Sequence, residues 1–129
     1  MRQKSYVIDS LIDGLQGKKS RRVETLIEPI AIITIIQNRY RIEISKRTRK
    51  KEYVEPRMLA SFFLHKYTLL SLKRIGFYVG VSDHTSVLHH VHSVQDSMDV
   101  YKHYADNVAS IDEEIQNYYK TIYDASNGI

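Results

Sequence analysis

The stretch Ser71–Val94, SLKRIGFYVGVSDHTSVLHHVHSV, constrains this chain most. Two helix starts and one sharp turn fit inside it. Ser71 can cap a short helix whose buried face is Leu72, Ile75 and Val79, spaced three and four apart. Gly80 supplies a turn residue free to adopt positive φ. Ser82 or Asp83 can cap a second helix by accepting from its free backbone N–H groups. That helix carries Val87, Leu88, Val91 and Val94 at core spacing, while its first turn holds the polar His84, Thr85 and Ser86. A short helix, a glycine turn and a helix with a polar leading end make a helix-turn-helix. A plain helical hairpin shares the pattern and is the bland alternative.

The rest of the chain reads as helical around it. At 129 residues one domain with one core is expected, spanning 1–129. Residues 1–17 suggest a short helix and residues 18–24 a basic connector. Thr25 and Glu28 have capping-box spacing. Pro29–Ile42 is rich in β-favouring isoleucine, yet Pro29, Ile32, Ile33, Ile36 and Tyr40 line one helical face and the run is long for a strand. It is read as helix, with Pro29 in the first turn. Residues 43–54 read as a basic loop, and Pro56 as the start of a helix carrying Leu59, Phe62 and Phe63. No Gly or Pro occurs between Ser82 and Asn127, so one helix or two can follow, Ser110–Glu113 offering a second capping site. Tyr101, Tyr104, Val108, Ile111, Ile115, Tyr118, Tyr119 and Ile122 offer that tail an apolar face. The expected fold is all-α: a small helical bundle containing a helix-turn-helix, with an added C-terminal helical tail.

Charge is unevenly distributed. The net is +4, but residues 1–51 hold 13 Lys/Arg against 5 Asp/Glu, and residues 99–129 hold 2 against 6. A basic first third suits an anionic partner, nucleic acid being the commonest. With no cysteine, disulfides, thiolate catalysis and cysteine-based zinc sites are excluded. No apolar run is long enough for a membrane span and the start lacks a secretory h-region, so a cytoplasmic, nucleoid-associated protein without a membrane partner is expected. Gly14–Ser20 superficially resembles a phosphate-binding loop, but only two residues separate its glycines where four are needed, and no apolar strand leads into it. Among His89, His90 and His92 only the 89–92 pair shares a helical face, and no His-Glu-x-x-His run occurs. These imidazoles are read as facing solvent or phosphate. No metal or other cofactor is expected.

Three blocks in order resemble the C-terminal helix-turn-helix domain of the bacterial replication initiator DnaA. The run Gly80-Val81-Ser82-Asp83-His84-Thr85-Ser86-Val87-Leu88-His89-His90 is similar to that family's hallmark, close to GGRDHTTVLHA. Pro56-Arg57 matches its Pro-Arg, and Ser71-Leu72-Lys73-Arg74-Ile75-Gly76 its Ser-Leu-x-x-Ile-Gly. Tyr40-Arg41-Ile42 fits the end of an upstream helix. The resemblance covers residues 28–98 and leaves 99–129 as an acidic helical extension. It implies an all-helical domain, non-enzymatic, whose partner is double-stranded DNA. It further implies that Asp83, His84 and Thr85 read base edges in the major groove, which their chemistry allows, and that Arg49 enters a minor groove. The full candidate contact set is Arg49, Lys50, Lys51, Arg57, Lys73, Ser82, Asp83, His84, Thr85, Ser86 and His89.

Several positions depart from the family pattern. Ser82 stands where Arg precedes Asp-His-Thr, Val81 replaces a second turn glycine, Met58 follows Pro-Arg where Gln is frequent, and Lys73 stands where Pro is common. These changes bear on the sequence recognised more than on DNA binding. The initiator's ATPase module has no room in 129 residues, so a free-standing relative is expected. Sequence-specific duplex binding in replication or its control is the reading. The alternative is an adaptor that binds the host initiator, or a second copy of itself, through the helical tail.

Overall fold

The computed structural model describes residues 27–126. The expected helix at 1–17, the connector at 18–24, the glycine turn at 14–20 and Thr25 all lie outside them. Among the described residues the fold is five helices and no strand: α1 (Pro29–Tyr40), a single 3-10 turn (Lys51–Tyr53), α2 (Val54–Tyr67), α3 (Leu72–Val79), α4 (His84–Val100) and α5 (Lys102–Ser126). The all-α expectation holds. None of these helices is long and apolar enough to cross a membrane.

The isoleucine-rich run is helical because one stripe of it is buried. Ile32 and Ile36 are fully enclosed and Ala31 and Ile33 nearly so, while Thr34 and Asn38 face solvent. Burying such a stripe outweighs the small propensity penalty of β-branched residues. Glu28 is extended, precedes the helix and makes no side-chain cap, so it is not the third residue of a capping box. Pro29 takes the first helical position, where no N–H is needed. At the other end Arg41 adopts the left-handed conformation, φ 60° and ψ 41°, and its N–H reaches the Gln37 carbonyl at 2.7 Å. The chain thereby reverses, and Ile44, fully buried, donates its N–H to the Gln37 side chain at 2.9 Å.

α2 packs against α1, α3 and α4. It begins at Val54, two residues earlier than Pro56 suggested, because the 3-10 turn at Lys51–Tyr53 feeds into it within the expected loop. Pro56 still falls in the first turn, where the missing N–H costs nothing. Leu59, Ala60, Phe63 and Leu64 are fully buried. The helix-turn-helix forms as read. Ser71 Oγ accepts from the Arg74 N–H at 3.2 Å, Gly80 ends α3 at φ 79°, and Asp83 caps α4. Val87, Val91 and Val94 are the buried stripe of α4, but Leu88 is 38% exposed. It sits one residue off the stripe that the neighbouring helices cover.

His90 is not a solvent-facing imidazole. It is half-buried, and its Nδ1 lies 2.9 Å from the Oγ of Ser61, a fully buried residue of α2. Burial, and after it the positive neighbours His89 and Arg57, hold the His90 pKa below 6.5.

α4 and α5 are separate helices. The break falls at Tyr101, not at Ser110. Tyr101 is extended, its N–H closing α4 on Ser97 O at 2.8 Å and its carbonyl opening α5 to Ala105 N at 3.0 Å. The turn lets α5 fold back on α1 and α4 and bury Val108, Ile111 and Ile115. Tyr101, Tyr118 and Ile122, expected on that apolar face, are 56%, 37% and 47% exposed. Polar ties complete the docking. Arg39 reaches Glu114 at 3.4 Å, Asn107 at 3.3 Å and Ser110 at 3.0 Å. The Tyr67 hydroxyl donates to Asp112, which Gln116 also meets at 2.9 Å. Tyr40 donates to Glu55 at 2.6 Å and accepts from Asn107 at 3.2 Å, and burial with the Glu55 bond pushes its hydroxyl up to about 12, so it remains a donor at neutral pH.

Two predictions follow from this packing. Arg41→Gly should stabilise the fold by up to about 1 kcal/mol, since a side chain in the left-handed region is strained and glycine is not. Gly80→Ala should destabilise it by at least about 1–2 kcal/mol for the converse reason. Thermal melts of both variants check the pair. The second concerns acid. Folded His90 binds a proton less readily than unfolded His90, so its contribution is complete above about pH 6.5 and is lost as pH falls towards the depressed folded value. His90→Asn, whose amide can reach Ser61 without titrating, should flatten the slope of melting temperature against pH in that window.

Candidate nucleic-acid interface

Two elements carry the candidate residues. The first is the connection between α1 and α2. It hangs on Ile44, and short internal bonds shape it: Lys46 N–H to Glu43 O at 3.1 Å, and Lys50 N–H to Thr48 Oγ1 at 3.2 Å. Lys46, Arg47, Arg49, Lys50 and Lys51 all stand exposed on it. Five cations in six residues on an anchored loop make a dense patch of positive charge, whose mutual repulsion an anion would relieve.

The second is the leading end of α4. The Asp83 Oδ1 accepts from the Ser86 N–H at 2.7 Å, and that backbone bond, with the further donors at Ser86 and Thr85, holds the carboxyl below the usual carboxylate range. One oxygen is therefore engaged as the cap of α4, and the group acts as an acceptor at neutral pH. Ser82, Asp83, His84 and Thr85 are exposed and Ser86 is half-buried. His89 is exposed one turn further on, with its Nε2 3.4 Å from Ser93 Oγ. The buried Val87, Val91 and Val94 hold the far side of α4, leaving this polar end outward.

The two elements meet. A Cβ built on Gly80 would lie 3.3 Å from both the Cα and the O of Ser45 and 3.4 Å from the carbonyl of Ile44. The basic loop thus rests directly on the turn of the helix-turn-helix. Lys73 is exposed on α3, the first helix of the motif. Its neighbour Arg74 is exposed too and was not among the expected contacts. The signal for it was present, since it adjoins Lys73, which was singled out.

Arg57 is placed differently from the rest. It is half-buried, and its guanidinium donates to three loop carbonyls: Nε to Ile44 at 2.9 Å, Nη1 to Thr48 at 2.8 Å, and Nη2 to Lys46. It also lies 5.2 Å from the centroid of the Tyr53 ring. No sequence signal separated this arginine from its exposed neighbours. Among the described residues no group of three or more His, Asp or Glu is placed to hold a metal ion.

Comparison with known proteins agrees with this geometry. Residues 29–94 match the family described as bacterial dnaA protein helix-turn-helix. The chain is 31% identical over 110 residues to the chromosomal replication initiator protein DnaA of Chloroflexus aggregans, covering 83% of this chain and 22% of that protein. It is 32% identical over 101 residues to that of Thermus thermophilus, covering 76% and 21%. With that of Flavobacterium psychrophilum it shares 35% over 72 residues, covering 56% and 15%. The chain thus spans about a fifth of the length of such relatives. The matched segment is the non-catalytic helical part, beginning at the first residue of α1 and ending at Val94, the last buried valine of α4. The matched residues, the capped helix-turn-helix and the order of its motifs together place this chain in the bacterial DnaA helix-turn-helix family.

Proposed function

We propose that the protein binds double-stranded DNA sequence-specifically, with α4 as the recognition helix, and acts in replication initiation or its control. The observation that carries this is the junction at Gly80, which puts an anchored cationic loop against a helix-turn-helix whose leading end is polar and exposed. Arg49, Lys50, Lys51 and Lys73 supply affinity through phosphates, which carry no sequence information. Arg49 reaches the minor groove, where narrow A·T-rich tracts attract a guanidinium. Ser82, Asp83, His84, Thr85 and Ser86 meet base edges, and His89 a phosphate. The relatives' name, chromosomal replication initiator protein, supports the placement in replication.

The rival reading, an adaptor working through the tail, has less support. The central part of the α5 apolar face is occupied by the body of the same molecule, and Asp112 and Glu114 pair with Lys66 and Arg39 at 3.4 Å each. Tyr101, Tyr118 and Ile122 remain exposed, too small a surface for a stable protein interface by themselves.

Binding should weaken steeply with salt, the slope of log K against log salt steepening by about 0.9 for each phosphate contacted. Titrations from low to physiological salt check this, and a flat response rules the reading out. His84→Ala should cost about 1–3 kcal/mol on the preferred duplex and little on scrambled DNA. Its melting temperature should hardly move, because an exposed leading-end side chain contributes no more than about 0.5 kcal/mol to stability. Val91→Ala should show the opposite pattern, a lower melting temperature from a core cavity. Equal loss by His84→Ala on both duplexes would assign it a phosphate contact instead of a base contact.

A further inference from the structure

We propose that Arg57 is a positioning residue: it locks the basic loop against the helix-turn-helix turn and so sets where the loop's cations stand relative to the leading end of α4, without touching DNA itself. This rests on the duplex-binding reading above. The argument begins from the donor geometry. A guanidinium is a planar fork with five N–H groups, and here Nε, Nη1 and Nη2 each meet a different carbonyl of one loop, those of Ile44, Thr48 and Lys46. Three carbonyls spread over five residues can converge on one cation only if the loop curls around it. A lysine, with a compact ammonium on a flexible stem, matches no such arc.

The grip is transmitted because Ile44 takes part in two contacts at once. Its carbonyl accepts from Arg57 and also lies against Gly80, with the Ser45 backbone beside it. Its N–H is held by Gln37 of α1. The loop is therefore fixed between α1, α2 and the motif turn, and Arg57 is the only one of these holds that reaches as far along it as Thr48. Beyond Thr48 come Arg49 and Lys50; the Lys50 N–H donates to Thr48 Oγ1 at 3.2 Å, and its carbonyl accepts from the Tyr53 N–H at 3.1 Å where the 3-10 turn begins. The Tyr53 ring lies beside the guanidinium, a favourable placement for a cation held at one spot. An arginine engaged in this way serves the interface from inside, and the five exposed cations around it do the touching.

The test has two arms. In the free protein, amide hydrogen exchange at Ile44, Lys46 and Lys50 is compared for wild type, Arg57→Met and Arg57→Lys, with α1 and α4 core amides as the reference for an intact fold. Both variants should accelerate the loop amides by about tenfold or more at unchanged core protection, the mark of local opening. Lysine keeps the charge, so it also secures a folded comparison if methionine does not. Loop exchange unchanged in the folded variants overturns the proposal. In the second arm, Arg57→Met is placed on wild type and on a chain with Lys46, Arg47, Arg49, Lys50 and Lys51 all changed to alanine. On wild type, duplex affinity should fall by about tenfold, and on the five-alanine chain it should fall no further, since residues acting through one another are not additive. A further tenfold loss there overturns the proposal, because it means that Arg57 makes a contact of its own. If wild type binds no duplex of any sequence, the duplex-binding reading fails, while the exchange arm still decides whether Arg57 holds the loop.

Discussion

Everything at the proposed interface depends on the close approach at Gly80. Its φ of 79° is open to glycine at no cost, and the backbone of Ser45 and Ile44 lies only 3.3–3.4 Å from where a Cβ would stand. That contact seats the basic loop on the turn between α3 and α4. A duplex presents its two grooves at a fixed separation, so a protein that uses both needs its two reading elements rigidly related. Backbone packed on backbone gives that rigidity more directly than side chains can, since no rotamer stands between the parts.

Behind this seam the fold is built on α2. Its buried Leu59, Ala60, Phe63 and Leu64 lie in one core with the isoleucines of α1 and the valines of α3 and α4. The buried Ser61 adds a polar contact to His90 on α4. A polar pair in a mostly apolar seam costs desolvation and gives direction in return: only one register of α4 on α2 satisfies it. Its dependence on a neutral imidazole follows from the same burial that lowers the pKa.

The acidic tail has a structural explanation. Arg39 of α1 and Lys66 and Tyr67 of α2 receive Glu114 and Asp112, and Gln116 ties in beside them. These partly exposed ion pairs are individually weak, so the buried Val108, Ile111 and Ile115 carry most of the docking. The pairs choose the register in which those apolar residues dock. They also neutralise two cations, Arg39 and Lys66, that lie outside the proposed DNA-binding set.

The sequence by itself determined the local events. Serine and aspartate ahead of apolar periodicity started α3 and α4 where they were read, glycine ended α3, and the isoleucine stripe formed a helix once its face was matched with a core. Those signals act within a turn or two of chain, so they are legible without the fold. The order of Pro-Arg, Ser-Leu-x-x-Ile-Gly and Asp-His-Thr likewise sufficed for the family. What only tertiary structure decided were contacts between distant segments. Leu72 and Leu88 were both read as core, but Leu72 is half-buried and Leu88 exposed, because the packed neighbours cover the first and not the second. The break at Tyr101 carries no glycine or proline, and it exists because α5 must fold back to bury its apolar face on α1 and α4. His90 looks like its exposed neighbour His89 until Ser61, twenty-nine residues away, is brought to it. Arg57 looks like one more cation of a basic region until the loop closes around its guanidinium. In each case the residue type allows two environments, and long-range packing selects one.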